Sequence, residues 1–428
     1  MQKYNDIEMI KHIEFLFPIC RSITGEGLRK TLQYFESFHP EYKRIKFKTG
    51  QKVFDWEIPY EWNIKDAYIE HLESGERFAE FSKNNLHLVN YSEPIDFEID
   101  LENLAPKIFT LKSHPDWVPY VTNYYKRDWG FCMKESDKLK MKKGKYKVFI
   151  DSSLKKGNLE LSHALIKGKS KKEILFSSYV CHPSMANNEL SGPVLLNAIL
   201  DYVKSNYKKT KYSYRFIMQP ETIGSIAYLS KFSKYLCKNV ICGFNLSCVG
   251  DNRSYSYVNT PYKNTLADDA MQSALKGMKN FNVYSFLSRG SDERQYCSQG
   301  IRLPICTFSR SLFSEYPEYH TSADNLELVS QEGLEGSFDV IKTIIEAFET
   351  DLYPQMKIKC EPQLGKRGLY PNKSFQVNNK ISTTRSRMNF ITYADGSNSI
   401  FEIANLIDLD LKSVVNEAKL LKQNKLFL

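Results

Sequence analysis

From residue 157 to about residue 350 the chain alternates between short apolar runs and stretches of helical period, and this alternation restricts the fold more than any other feature. Residues 173–180 (EILFSSYV), 214–218, 240–249 and 305–308 have the length and apolar character of buried strands. Residues 191–203, 223–236, 265–279 and 330–349 carry apolar side chains at helical spacing. A strand that is apolar on both faces needs cover on both. The order therefore predicts an α/β domain: a three-layer, mostly parallel sheet with helices on both faces. In such sheets the loops at the C-terminal strand ends carry the chemistry.

Two other textures surround this domain. At the start, Ile7, Ile10, Ile13, Phe15 and Leu16 are spaced as on a helix and Pro18 breaks it; 28–38 resumes a helix that Thr24 or Glu26 is placed to cap. Residues 50–151 hold strand-like runs (52–58, 68–70, 86–89, 118–125, 146–150) separated by Pro, Asn and Gly, which reads as an all-β unit. The predicted organisation is an α/β domain of residues 1–48 and 152–352, an inserted β-rich domain at 49–151, a connector at 353–382, and a winged-helix-like domain at 383–428. In that last unit 399–407 and 411–421 are spaced as a helix-turn-helix, with 422–428 as a wing strand. Its six basic residues (Arg385, Arg387, Lys412, Lys419, Lys422, Lys425) face five acidic ones (Asp395, Glu402, Asp408, Asp410, Glu417). A DNA reader shows a basic face, so the balance favours packing or homo-oligomerisation through this unit over nucleic-acid binding.

Composition narrows the classes further. With 42% hydrophobic and 25% charged residues in 428, the chain is neither disordered nor fibrous. The net charge of +9, from 59 basic and 50 acidic residues, is scattered among other residue types and marks no nucleic-acid function. Nine cysteines, an odd number without a CxxC pair, exclude a disulfide framework and a structural zinc ribbon. No apolar run reaches the roughly 18 to 20 residues of a membrane helix, and the acid-bearing N-terminus is no signal peptide. The expectation is a cytoplasmic protein without a membrane partner.

Four polar loops at or near predicted strand ends hold the residues able to do chemistry. They are 180–192 (VCHPSMANNELSG), 220–225 (PETIGS), 289–296 (RGSDERQY) and 316–326 (YPEYHTSADNL). They offer His182, Glu189, Glu221, Asp292 and His320, with Tyr319 beside the last. Imidazoles and carboxylates converging on one rim suit a metal hydrolase, because zinc takes such ligands when it activates water, and one carboxylate is left to move the proton.

The order of these motifs resembles that of the co-catalytic zinc aminopeptidases. More closely, together with CRSITGEG (20–27), VFDWEIPYEWNI (53–64), VTNYYKRDWGFC (121–132) and EPQLGKRGLYP (361–371), it resembles the bacterial aminopeptidase-like proteins of surface-polysaccharide gene clusters, over essentially the whole chain. That group carries a β-rich insertion and a C-terminal winged helix. The resemblance implies a metal-dependent amide hydrolase. His182 falls on the first metal histidine, His320 on the last, and Glu221 on the general base. Other positions depart from the pattern: Asn188 stands at the bridging aspartate, Thr222 at the second glutamate, Ser247 at a further aspartate ligand with Asp251 four residues on, and Glu293 at a histidine. Asp292 matches an aspartate that stands behind the ligands. With three carboxylates gone, the resemblance implies one zinc ion, held by His182, His320 and an acid from Glu189 or Asp292, with Glu221 as general base.

Each residue also has a plainer reading. The histidines are otherwise hydrogen-bonded loop residues, Glu221 and Glu189 helix-start acids, and Asp292 the partner of Arg289 or Arg294. Arg21, Arg289, Arg294 and Arg310 are either anchors for an anionic substrate group or surface ion pairs. Tyr124, Tyr125 and Trp129 either wall the cleft or fill the inserted domain's core. Cys181 next to His182 makes no nucleophilic dyad, since adjacent strand residues point to opposite faces. The expected substrate is a small peptide or an N-acylated amino sugar. The alternative is a non-catalytic descendant that binds a peptide or glycan.

Overall fold

The computed structural model describes residues 3–370 and 383–428; the connector's 371–382 lie outside them. The elements in chain order are α1 (Met9–Leu16), α2 (Glu26–Phe38), β1 (Lys43–Lys48), β2 (Glu61–His71), β3 (Arg77–Phe78), β4 (Ile95–Asp100), β5 (Lys145–Lys155), β6 (Asn158–Ile166) and β7 (Glu173–Tyr179). They continue as α3 (Ser191–Asn206), β8 (Ser213–Gln219), α4 (Ile223–Asn239), β9 (Val240–Leu246), β10 (Tyr255–Val258), α5 (Leu266–Leu275), β11 (Phe281–Tyr284), β12 (Ile305–Ser309) and α6 (Gln331–Thr350). The tail holds α7 (Thr383–Tyr393), α8 (Ile400–Leu406) and α9 (Leu411–Gln423).

The α/β domain is built on an eight-stranded sheet in the order β1-β6-β8-β7-β9-β12-β10-β11. Strands β8, β7, β9 and β12 are mutually parallel, and β7, β8 and β12 are buried along their whole length, as the apolar runs require. Helices cover both faces. At one edge of the sheet β6 joins β8 antiparallel, and β1 in turn pairs antiparallel with β6. Their alternating polar residues carry no signal for a doubly buried strand, and the sequence pattern does not mark them.

One face of the sheet (Phe176, Phe216, Phe244, Phe308) packs with α3, α5 and α6 in a core that runs on into Phe390, Ile400 and Phe401 of the tail. The opposite face (Leu175, Ile217, Ile305) shares its core with α4 and with Ile69, Tyr146 and Val148 of the inserted β unit. In that unit β3, β2, β5 and β4 form a four-stranded sheet. Residues 118–125, which read as a strand, form no ladder of their own. Pro119 bridges to Thr321 across the domain boundary, and this segment lies against the His320 loop.

Gly25, at φ 93°, begins α2; a Cβ there would stand 2.1 Å from the Trp62 carbonyl oxygen. Neither predicted cap acts: the Thr24 hydroxyl accepts instead from the Trp62 amide at 3.0 Å. Gly192 is similarly confined, with a Cβ 2.3 Å from Ser178 Oγ and 2.5 Å from the Leu246 carbonyl. Its size lets α3 start hard against the C-terminal ends of β7 and β9, which fixes the preceding turn at the sheet's rim.

The tail is a helix-turn-helix in which Ser399 caps α8 with Glu402 and Asp410 caps α9. Met356 bridges to Phe427, closing the wing. Helix α9 lies against α6: Lys419 pairs with Glu346, the Lys422 ammonium donates to the Thr350 carbonyl at 2.8 Å, and Phe401 meets Phe348 edge-on at 5.0 Å. No helix among the described residues is long and apolar enough to cross a membrane.

Candidate active site

The loop after β7 brings His182 to the rim of the sheet, and the loop before α6 brings His320. Their ring centroids are 5.2 Å apart. His182 is buried; Glu189, in a single π-helical turn (Ala186–Leu190), hydrogen-bonds its Nδ1 at 2.8 Å. A carboxyl on one ring nitrogen orients the imidazole and leaves the other free. That free nitrogen, Nε2, lies 3.8 Å from Glu221 Oε2 at the end of β8. Neither ring nitrogen of His320 has a hydrogen-bond partner among the described residues. Tyr319 stacks on the His320 ring at 3.9 Å, and Tyr120, reaching over from the inserted unit, meets both imidazoles edge-on at 5.2 Å.

Burial holds both histidines neutral, with pKa values brought down to about 3; for His182 the Arg21 guanidinium adds to the effect, and for His320 the neighbouring His182 does. Burial pushes the Glu189 carboxyl up to about 8, against the pull of Arg21. Glu221 keeps about 20% of its side chain exposed. Burial first, and the Asp292 charge second, raise its carboxyl above the usual range.

Arg21 enters from behind and is fully buried. Its Nε donates to the His182 carbonyl at 3.0 Å, its Nη1 donates to the Leu16 carbonyl at 2.7 Å, and Glu189 Oε1 is 3.6 Å away. It braces the loop and does not face the cleft. Asp292 is also turned away: it accepts from the Thr222 amide and Ser225 Oγ at 2.8 Å, capping α4, and from Gln219 Nε2 at 3.2 Å. The N-terminus of α4 is thus capped by Asp292 rather than by Glu221. Arg294 donates to Thr222 Oγ1 at 2.7 Å and stands at the edge of the cleft. Arg289 does not join the site; it is exposed, with its guanidinium 5.2 Å from the Phe286 ring. Arg310 lies over Tyr255 at 3.9 Å.

The other side of the cleft is neutral. The Tyr179 hydroxyl donates to Asn188 Oδ1 at 2.9 Å and shares a hydrogen bond with Ser247 Oγ at 2.7 Å. Asp324 anchors the turn between, accepting from the amides of Ala186, Asn187 and Asn188 and from the Tyr316 hydroxyl. Thr222 (φ 62°) and His320 (φ 56°) occupy the left-handed region, a local strain of about 1–3 kcal/mol each that the surrounding contacts hold in place. Sequence reasoning passed over Tyr120, Tyr179 and Asp324. Tyr120 lies in an aromatic run of another domain, Tyr179 in a strand that reads as pure core, and Asp324 falls on the aspartate of the His-Thr-x-x-Asp-x-Leu motif but was given no role.

Two donor groups are available to a cation. Cys181, His182 and Glu189 converge, all of them buried; β7 has ended at Tyr179, so Cys181 and His182 do not point to opposite faces as strand neighbours would, and Cys181 Sγ lies 3.5 Å from His182 Nδ1. This trio does not suit an ion: burial drives the thiol well above its ordinary pKa, Glu189 already holds Nδ1, and Arg21 opposes a positive charge there. The second group faces the cleft: two neutral imidazoles with unused nitrogens, and the Glu221 carboxyl. That donor chemistry fits zinc.

Fold and cleft together define an aminopeptidase-like α/β protein with a winged-helix appendage. Residues 10–351 match the family described as Domain of unknown function (DUF4910), to which the chain belongs, and residues 351–428 match the winged helix-turn-helix family. A Clostridium acetobutylicum protein named as a polysaccharide biosynthesis protein with an aminopeptidase-like domain is 39% identical over 410 residues, covering 95% of this chain and 93% of that one. A crystal structure of a candidate peptidase from the same organism superposes with a TM-score of 0.89 at 37% identity, covering 98% of this chain and 96% of that one. The zinc aminopeptidase of Bacillus subtilis superposes with a TM-score of 0.59 at 14% identity, covering 80% and 94%, a likeness of fold alone. The resemblance read from the motifs therefore holds.

Proposed function

We propose that the chain is a zinc-dependent amide hydrolase acting on the amino end of a small peptide or on an N-acylated amino sugar. The observation that carries this reading is the pair of neutral imidazoles 5.2 Å apart, each with an unused nitrogen, beside the Glu221 carboxyl. His182 and His320 would hold the ion, and Glu221 is the carboxyl beside the free Nε2 of His182, 3.8 Å away. Zinc supplies a Lewis acid that polarises a carbonyl and lowers the pKa of water. Glu221 takes the proton of the attacking water at Oε2 and passes it to the departing amine. Glu189 fixes the His182 ring through Nδ1, and Tyr120 covers the imidazoles and limits water at the rim. The name of the Clostridium relative supports a role beside polysaccharide biosynthesis.

Metal analysis after purification from zinc-replete medium tests the reading. The expected result is close to one zinc per chain, lost in both His182→Ala and His320→Ala. A protein free of metal under those conditions overturns it. The neutral Tyr179, Asn188 and Ser247 set favours a second reading, a binding protein that uses the same cleft without catalysis, and the metal-free result would support that reading instead.

A further inference from the structure

Beside the cleft, the inserted unit holds a cavity of about 190 Å³ lined by Glu57, Tyr60, Tyr91, Asn123, Tyr124 and Arg127 among others. At about 30 Å³ of liquid per water molecule, that is space for about six waters, the scale of one sugar ring. The rim is aromatic and open: Tyr60 is 42% and Tyr125 57% exposed, and Trp56 meets Tyr125 edge-on at 5.5 Å. Exposed rings held in a cluster are unusual on a free surface and mark a binding site.

The charges show which ligand suits it. The two cations at the rim are already engaged, Lys126 by Asp128 at 2.9 Å and Arg127 by Glu93 at 3.3 Å, with Arg127 also stacked 5.0 Å over Tyr60. That leaves little positive charge to draw a phosphate or a nucleic-acid backbone. The carboxylate of Glu57, the side-chain amide of Asn123 and the hydroxyls of Tyr60 and Tyr125 make no hydrogen bond within the described residues. Open acceptors and donors around exposed rings suit an uncharged ligand with hydroxyls on its edge and C–H groups on its face.

The cavity also adjoins the imidazoles. Tyr124, on its wall, hydrogen-bonds the Tyr120 hydroxyl, and Tyr120 is the residue that touches both histidine rings. We propose that this cavity is a saccharide subsite that seats a neutral or N-acetylated sugar ring next to the cleft. The assignment rests on the amide-hydrolase reading only in giving that cleft a glycan substrate; the binding itself needs no turnover.

The test is titration of the full chain with N-acetylchitotriose and with cellotriose, followed by saturation-transfer NMR and calorimetry, with inorganic phosphate and glycyl-leucine as comparison probes. One of the two saccharides is expected to bind. Tyr125→Ala and Tyr60→Ala, at exposed positions that leave the fold intact by circular dichroism, are expected to weaken it about tenfold, the loss of one ring contact. The double variant His182→Ala/His320→Ala is expected to bind the saccharide as the wild type does. Saccharide binding by a wild-type chain that carries no zinc after zinc-replete purification would remove the hydrolase reading and leave the subsite standing. No saturation by either saccharide at tens of millimolar, binding indifferent to both tyrosine variants, or tighter binding of phosphate or the dipeptide at the same residues would overturn the proposal.

Discussion

The two sides of the cleft are made of similar material and differ in what remains unused. On one side His182 has only Nδ1 engaged and His320 has neither ring nitrogen engaged among the described residues, so each keeps a free nitrogen. On the other, Tyr179, Asn188 and Ser247 satisfy one another. A buried polar cluster that is fully paired rigidifies; one with free donor atoms is available to a ligand. On the proposed reading, the difference assigns ligand binding to the histidine side and scaffold to the tyrosine side.

The first way to break that comparison is Arg21→Met. It removes a buried charge and two hydrogen bonds to carbonyls behind the histidine side, and unfolding in urea should show a loss of about 3–5 kcal/mol. A loss under about 1 kcal/mol would mean that Arg21 braces nothing. A second variant sharpens the electrostatics of the metal-free protein. Burial raises Glu189 from 4.5 to about 8. The stability contributed by a carboxyl raised in this way is complete below the unfolded-state pKa and is lost as pH climbs to the folded-state value. Stability should therefore decline between about pH 4.5 and 8, by at most about 1.4 kcal/mol per pH unit, and Glu189→Gln should flatten that decline. On the tyrosine side, Tyr179→Phe leaves Asn188 and Ser247 partly unsatisfied and should cost about 1–2 kcal/mol while zinc content stays unchanged. Loss of zinc in this variant would erase the distinction between the sides. Ser247→Ala, which removes one hydrogen bond of the set, should cost under about 1.5 kcal/mol, the smallest effect of the four.

The sheet was legible because burial on two faces writes continuous apolar runs such as 173–180, and helices between them write a different period. The flanking strands β1 and β6 were not: β1 alternates Arg, Ile, Lys and Phe like any surface strand, and β6, though mostly buried, carries Glu160, Ser162 and His163 among its apolar residues. The histidine loops could be read from residue type and motif. Which atoms they would offer could not: that Glu189 takes Nδ1 of His182, or that Asp292 turns to cap α4, depends on a π-helical turn and on a loop packed against a different helix. Tyr120 reaches the imidazoles only because residues 118–125 pair with the His320 loop, a contact of about 200 residues in sequence separation that local pattern does not encode.

Helix α9 has a further consequence. In a winged helix that reads DNA, the second helix of the helix-turn-helix enters the major groove. Here that helix is fastened to α6, with Lys419 and Lys422 holding its polar side and Phe401 from α8 closing the seam. The tail is therefore clamped onto the α/β domain: cutting the chain after α6 would leave an oily scar on the sheet's helical layer and invite self-association.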